Sequence, residues 1–297
     1  MRHLLDIDTL DPDELVRILA LAADRDPHQA LAGQGAALLF EKPSARTRNA
    51  CEMAVARLGG HPVYISGAEV GLDKRESVED VTRTLGCYHA VIGARVLAHS
   101  TAERMAAVGA VPVVNLLSDA AHPTQAVADM LTVRAELGRL AGLTLAYVGD
   151  ANNVARSLVY AAGLSGMAVR VASPSGYGFG ESDLSRMRSL GCEPVQVDDP
   201  AEAVRGAHAV YTDVWVSMGQ HDEAEQRREA FAGFTVTDAL MAEADPDAVF
   251  LHCLPAHRGT EVAAAVIDGP QSRVWPQAAN RMHAARGVLL WLMEQAS

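Results

Sequence analysis

The sequence predicts an α/β protein built as two doubly wound parallel-sheet domains joined by a long helix. Three observations carry that expectation. Short apolar runs alternate with helix-period segments, the pattern of a parallel sheet covered by helices. The 297 residues are too many for one comfortable core and enough for two. Hydrophobic residues make up 49% of the chain but aromatics only 5%, which suits an interior packed from Ala, Val and Leu.

The first element is signalled by Asp11-Pro12-Asp13-Glu14, an N-cap with Pro at N1 and acids in the first turn, predicting a helix to about Ala23. Ala36–Phe40 reads as a buried strand. Ser44 then occupies an N-cap position, and Cys51, Ala54, Val55 and Leu58 form one apolar face before Gly59-Gly60 stops the helix. This helix opens on Arg46 and Arg48 where acids are usual. Two cations at a positive dipole end cost roughly 0.3–1 kcal/mol each unless an anion shares the place. Backbone N–H groups, two guanidinium groups and the Ser44 and Thr47 hydroxyls could cradle a phosphate there; the competing reading is an awkwardly charged surface helix. Apolar runs at 62–65, 90–93 and 112–116 predict further strands, with helices over 77–87 and 101–108. Glu69–Ser77 is polar and reads as a loop. A long helix over about 123–138 leads to strands at 143–148, 168–172, 194–197, 209–212 and 248–251, and the last helix spans about 277–295. Two such halves are expected to bracket a cleft, with ligands at the C-terminal ends of the strands.

The net charge of −12 argues against nucleic acid and anionic membrane as partners. An anionic substrate would need a local basic cluster, and Lys42, Arg46 and Arg48 supply one. Cys51, Cys87, Cys192 and Cys253 are scattered without CxxC spacing, which disfavours a zinc site or disulfide framework. No signal peptide opens the sequence and no apolar run reaches membrane-spanning length, so a soluble cytoplasmic protein is expected.

Polar groups recur just after the predicted strands. Arg95 follows one, and on its own is either a surface arginine or a ligand. His122-Pro123-Thr124-Gln125 places His122 at the N-cap and Gln125 at N3 of the long helix, able to donate to a carbonyl or phosphate oxygen. Gly149-Asp150-Ala151-Asn152-Asn153 has the position of a dinucleotide fingerprint, but Ala151 and Val154 break the glycine pattern. That disfavours a nucleotide-binding oxidoreductase; Asn152 and Asn153 either hold a polar small molecule or cap the helix. Asp213 either pairs an ammonium group or caps a turn. His252 and Cys253 are strand neighbours expected to point to opposite sides, which disfavours a Cys–His nucleophile pair. Asn280-Arg281 lies near the predicted start of the last helix.

The ordered set Phe40–Arg48, Arg95, His122–Gln125, Asp213–Gly219, His252-Cys253-Leu254-Pro255 and Asn280-Arg281 resembles the aspartate/ornithine carbamoyltransferase family over nearly the whole chain. Ser217-Met218-Gly219 and His-Cys-Leu-Pro mark its ornithine branch. The resemblance implies a carbamoyl-phosphate-binding domain over 1–130, an ornithine-binding domain over 131–297, and a C-terminal helix returning to the first domain. It implies that Ser44, Ala45 (through its N–H), Arg46 and Thr47 hold the phosphate, that Arg95, His122 and Gln125 hold the carbamoyl end, and that Cys253, Leu254 and Arg281 close around it. Asn153, Asp213, Ser217 and Met218 would hold the amino acid, and Lys74 would reach a neighbouring subunit's site in a homotrimer or multiple of trimers. Arg46, Arg95, His122 and Cys253 are the implied catalytic set, with carbamoyl phosphate and L-ornithine as partners, no cofactor, no metal, and a place in arginine biosynthesis.

Two positions depart from the family pattern. Ala45 stands where Thr is usual, removing a hydroxyl worth ~1 kcal/mol if it bonded phosphate. Ala279 stands where Glu is common. The competing functions are carbamoyl transfer to another amine, such as putrescine or N-acetylornithine, and a non-catalytic interaction protein on the same fold.

Overall fold

The computed structural model describes residues 1–26, 28–216 and 221–296. The chain forms two compact units, Met1–Leu131 with Ala279–Ser297, and Thr132–Ala278. Each is organised around its own parallel sheet.

In the first unit the strands are β1 (Gly35–Phe40), β2 (His61–Ser66), β3 (His89–Arg95) and β4 (Val113–Leu117). Its helices are α1 (Pro12–Ala23), α2 (Ala45–Arg57), α3 (Gly67–Val70), α4 (Val78–Gly86) and α5 (His99–Val108), followed by α6 (Pro123–Leu137), within which the unit boundary falls. The strand order is β2-β1-β3-β4, all parallel. Successive strands leave β1 first on one side and then on the other, which makes the β1/β3 edge a switch point where ligand crevices open. β1 is buried at every residue after Gly35, as its unbroken apolar run requires of an interior strand.

In the second unit β5 (Thr144–Val148), β6 (Ala168–Ala172), β7 (Val195–Val197), β8 (Ala209–Thr212) and β9 (Val249–His252) form the order β7-β6-β5-β8-β9. Its switch point lies between β5 and β8. The helices are α7 (Asn153–Leu164), α8 (Glu181–Ser189), α9 (Pro200–Val204), α10 (Ala224–Ala230), α11 (Asp238–Met241), α12 (Ala264–Ile267) and the first residues of α13 (Val274–Ala296). Trp215 and Phe231 stack with ring centroids 5.5 Å apart in a core that includes Phe234 and Phe250.

The capping chemistry of α1 is fully made: Asp11 Oδ1 accepts from the Glu14 N–H at 2.8 Å and Glu14 Oε2 accepts from the Asp11 N–H at 3.1 Å. The C-terminal helix does return to the first unit. A Cβ on Gly287 would meet Ala22 at 2.7 Å and the Ile18 carbonyl at 2.8 Å, so α13 approaches α1 closer than any side chain permits. Arg286 next door donates to the Leu21 carbonyl, an acceptor left over in the last turn of α1, and to the Asp26 carbonyl just beyond the helix.

The predicted strands and long helices form within a few residues of the expected bounds. Three differences have physical causes. Glu69 and Val70 close α3, and the rest of the expected loop is held by Arg104, which donates to Asp73 at 3.0 Å and Glu79 at 2.7 Å. α13 starts at Val274, so Arg281 sits inside the helix and owes nothing to a helix-end dipole. α8 escaped prediction because Met187 is its one buried residue, too little for a periodic signal. No described helix is long and apolar enough to cross a membrane.

Replacing Gly287 by Val tests the α13–α1 contact. The urea midpoint is expected to fall by the equivalent of about 2 kcal/mol with an unchanged m-value; an unchanged midpoint contradicts the close approach.

Candidate active site

In the first unit, the register pairs Phe40 with Arg95, bringing the loop after β1 alongside the last residue of β3. Ser44 caps α2 with extended backbone (φ −157°), its Oγ accepting from the Thr47 N–H at 3.3 Å. The N–H groups of the first turn are the orphan donors every helix start presents. Thr47, only 2% exposed, is the hub: its Oγ1 accepts from Arg281 Nη2 at 2.7 Å, from Ser44 Oγ at 3.1 Å and, at the limit of a hydrogen bond, from Arg95 Nη1 at 3.5 Å. Arg95 is 5% exposed and Arg281 8%.

Two buried guanidinium groups therefore share one hydroxyl. Among the described residues no carboxylate pairs with Arg95. Burial, with the Arg281 and Arg46 charges added, lowers the Arg95 pKa to about 10. Burial and the same two neighbours Arg281 and Arg95 push His122 well below its ordinary value, so its imidazole is neutral at physiological pH and offers an N–H without a charge. Burial also raises the Cys51 thiol, on the inner face of α2, to about 12, which makes it inert packing. The cluster lacks an anion's charge and supplies hydroxyl, guanidinium and amide donors around one place.

Not every predicted cation joins it. Arg48 pairs with Glu52 at 2.7 Å and lies 3.8 Å over the Tyr64 ring, so of the two arginines in the first turn of α2 only Arg46 has no carboxylate partner among the described residues. Arg46 and Ala45 are exposed at the start of α2, and the Ala45 carbonyl accepts from Asn49. His122 and Gln125 sit where Pro123 predicted: the His122 carbonyl accepts from the Gln125 and Ala126 N–H groups, which starts α6. Gln125 is 1% exposed and its Nε2 donates to Asp129 Oδ1 at 2.7 Å.

In the second unit the register pairs Val148 with Thr212 and Thr212 with His252, bringing the strand-end groups of β5, β8 and β9 abreast. Asp213, 5% exposed, accepts from the Val214 N–H at 2.8 Å, from Cys253 Sγ at 3.0 Å and from Asn152 Nδ2 at 3.1 Å. A carboxylate has roughly four acceptor positions, so one remains for a ligand cation. Asn152 caps α7, its Oδ1 accepting from the Val154 and Ala155 N–H groups, while Asn153 accepts from the Val154 N–H at 3.1 Å. His252 and Cys253 diverge as expected. His252 Nε2 faces the fully buried Glu261 at 3.3 Å and its Nδ1 accepts from the Leu254 N–H at 2.9 Å, holding Leu254 at a left-handed φ of 60°. Asp213, His252 and Cys253 place one potential ligand atom each within 4.8 Å of one another, but hydrogen bonds occupy both His252 nitrogens. Lys74 is exposed beside the left-handed Asp73. Ser217 and Met218 lie outside the described residues.

Sequence reasoning missed Asp129, Glu261 and the Asp150–Arg227 ion pair (2.8 Å) that also holds the Trp215 carbonyl at 3.0 Å. Asp129, four residues after Gln125 on α6, was findable from helix spacing; the other partners are remote in sequence.

A parallel α/β unit with a buried cationic cluster at its switch point belongs to the class of folds that bind a small anionic ligand at their strand ends. Comparison with known proteins gives the class its family. Residues 2–135 match the aspartate/ornithine carbamoyltransferase carbamoyl-P binding domain and residues 141–292 the Asp/Orn binding domain. The ornithine carbamoyltransferase of Thermus thermophilus is 48% identical over 99% of this chain and 97% of its own, and that of Acidothermus cellulolyticus 47% identical over 100% and 98%. The solved ornithine carbamoyltransferase from Pyrococcus furiosus superposes with a TM-score of 0.93 at 42% identity, covering 99% of this chain and 97% of that one. The chain belongs to the aspartate/ornithine carbamoyltransferase family and is a carbamoyltransferase.

The depressed Arg95 pKa has a sign that can be measured. The guanidinium is charged below about pH 10 and loses its proton above it, so anion affinity is present at neutral pH and lost at high pH. Sulfate, which does not titrate in this range, is expected to bind with constant affinity from pH 7.5 to 9 and progressively more weakly above about 10. A flat profile to pH 11 contradicts the assignment.

Proposed function

We propose that this carbamoyltransferase moves the carbamoyl group of carbamoyl phosphate to the side-chain amine of L-ornithine, giving L-citrulline and phosphate. The observation that carries the reading is the Thr47 hydroxyl shared by the buried guanidinium groups of Arg95 and Arg281, with no carboxylate among the described residues paired to Arg95. Ser44, the Ala45 N–H, Arg46 and Thr47 hold the phosphate group. Arg95, neutral His122 and Gln125 hold the carbamoyl end. The first unit is then the carbamoyl-phosphate domain and the second the amino-acid domain.

The chemistry follows from these parts. Carbamoyl phosphate is a carbonyl carrying a good leaving group, so amine attack needs neither a covalent nucleophile nor a cofactor. As nitrogen bonds to the carbonyl carbon, negative charge builds on its oxygen, where Arg95 and the His122 N–H stabilise it without carrying water's reorganisation cost. The C–O bond then breaks with its electron pair passing to phosphate, which takes up the proton lost by the attacking nitrogen and is received by Arg46, Arg281 and the α2 N–H groups. Asp213, with one acceptor position open, pairs the α-ammonium of ornithine; Asn153, Ser217 and Met218 complete the amino-acid site. This carboxylate favours ornithine over N-acetylornithine, whose α-nitrogen is an uncharged amide; putrescine keeps an ammonium at that position and lacks only the carboxylate. Cys253 donates to Asp213 and orients it, without covalent catalysis. The active assembly is a homotrimer or a multiple of it, with Lys74 serving the neighbouring subunit.

Assay of ornithine, putrescine, N-acetylornithine and aspartate with carbamoyl phosphate, read as ureido product, tests the proposal. Ornithine is expected to lead N-acetylornithine by about 100-fold or more in kcat/KM, the effect of leaving a buried carboxylate without its cation; equal rates with N-acetylornithine overturn it. The attacking amine must be neutral, and with a pKa of ~10 only about one molecule in a thousand is so at pH 7. Activity should therefore rise about tenfold per pH unit from 7 to 9. Cys253→Ser should keep measurable turnover, and buffer-level activity contradicts the orienting role.

A further inference from the structure

We propose that Asp129 is a positioning residue that fixes which end of the Gln125 amide faces the substrate, and thereby selects carbamoyl phosphate over acyl phosphates without an amino group. The inference rests on the carbamoyl-transfer reading of the Gln125 site.

Asp129 lies one helical turn beyond Gln125 on α6, at the spacing that brings side chains together, and is fully buried. Its Oδ1 accepts from Gln125 Nε2 at 2.7 Å. A carboxylate offers acceptors only, so the amide must turn its NH2 toward Asp129 and its carbonyl the other way. That carbonyl oxygen is buried, and among the described residues no donor reaches it. Gln125 stands at N3 of α6, its N–H donating to the carbonyl of His122 at the N-cap. His122 feels the Arg95 and Arg281 charges, so this start of α6 lies beside the cationic cluster, and the unsatisfied Gln125 oxygen is assigned to the same place.

A buried acceptor beside an anion site is matched by a ligand that carries a donor next to its phosphate. Carbamoyl phosphate has one, its NH2. Acetyl phosphate has the same shape with a methyl group in that place and leaves the Gln125 oxygen unsatisfied. Reversing the amide would remove the mismatch, and Asp129 prevents the reversal. Discrimination therefore resides in Asp129 although it touches no ligand.

The test compares the carbamoyl phosphate KM and kcat/KM with the inhibition constants of acetyl phosphate and inorganic phosphate, both read as competitors of carbamoyl phosphate in the intact enzyme. In wild type, acetyl phosphate is expected to bind about 10- to 100-fold more weakly than carbamoyl phosphate, the effect of one unsatisfied buried acceptor. Asp129→Ala should collapse that ratio to within about threefold while inorganic phosphate, which lacks an acyl end, inhibits as before. Asp129→Glu, which keeps an acceptor-only side chain for Nε2, should restore the ratio. Gln125→Met should reproduce the Asp129→Ala ratio, and the double variant should add nothing further. Asp129→Ser, too short to reach Nε2, serves if the alanine protein does not fold. Carbamoyl, acetyl and inorganic phosphate all weakening together in the Asp129 variants would mean a structural role and overturn the proposal. So would a wild type that does not discriminate, or a Gln125→Met protein that still does. Absence of ureido product in wild type would instead refute carbamoyl transfer itself, a separate outcome.

Discussion

The first unit depends on one unresolved repulsion. Arg95 and Arg281 are nearly buried, both reach the Thr47 hydroxyl, and no carboxylate among the described residues pairs with Arg95. A fold selected for stability alone would place an acid or an apolar side chain there, because an uncompensated buried charge is among the costliest features a core can hold. Instead the neighbouring groups follow the same logic. His122 is driven neutral, Cys51 is driven to the thiol, and Gln125 is turned so that its carbonyl rather than its NH2 is left over. Each response leaves an uncharged group around a cationic centre suited to an anion.

The second unit solves the opposite problem with the same architecture. Its switch point carries a buried carboxylate, Asp213, already held by three donors. In both sheets the strand order reverses at the first strand of the unit, β1 or β5, and the polar groups follow that strand and its neighbour. Parallel register does the alignment: Phe40 with Arg95 in one sheet, Val148 with Thr212 and His252 in the other. Around each centre sits a second layer that never needs to meet a ligand. Asp129 sets Gln125, and the His252–Glu261 pair sets Leu254. Glu261 illustrates the energetics: burial alone would raise its pKa, yet hydrogen bonds from His252 and the His257 N–H hold it below the ordinary value.

Much of this was legible in the sequence because it is local. Unbroken apolar runs reported β1 and β5 as interior strands, Pro123 reported the start of α6, and Asp11 with Glu14 reported a capping box. Ser44 and Arg46 announced an anion site because cations contradict a helix start. What stayed hidden depends on distant contacts. Arg48 could not be separated from Arg46 without seeing Tyr64 beneath it, and Arg281 could not be joined to Thr47 across most of the chain. The start of α13 was read late because Trp275, Pro276 and Gln277 open it without an apolar helix period.

If Arg95 lowers the stability of the empty protein in order to bind an anion, the unfolding free energy of an Arg95→Gln variant, measured without ligand, will reveal it. The variant is expected to be at least as stable as wild type in the absence of anion, and saturating phosphate to stabilise wild type but not the variant. A ligand-free variant less stable by 2 kcal/mol or more, about the loss expected of an ordinary buried hydrogen-bonding residue, would contradict it.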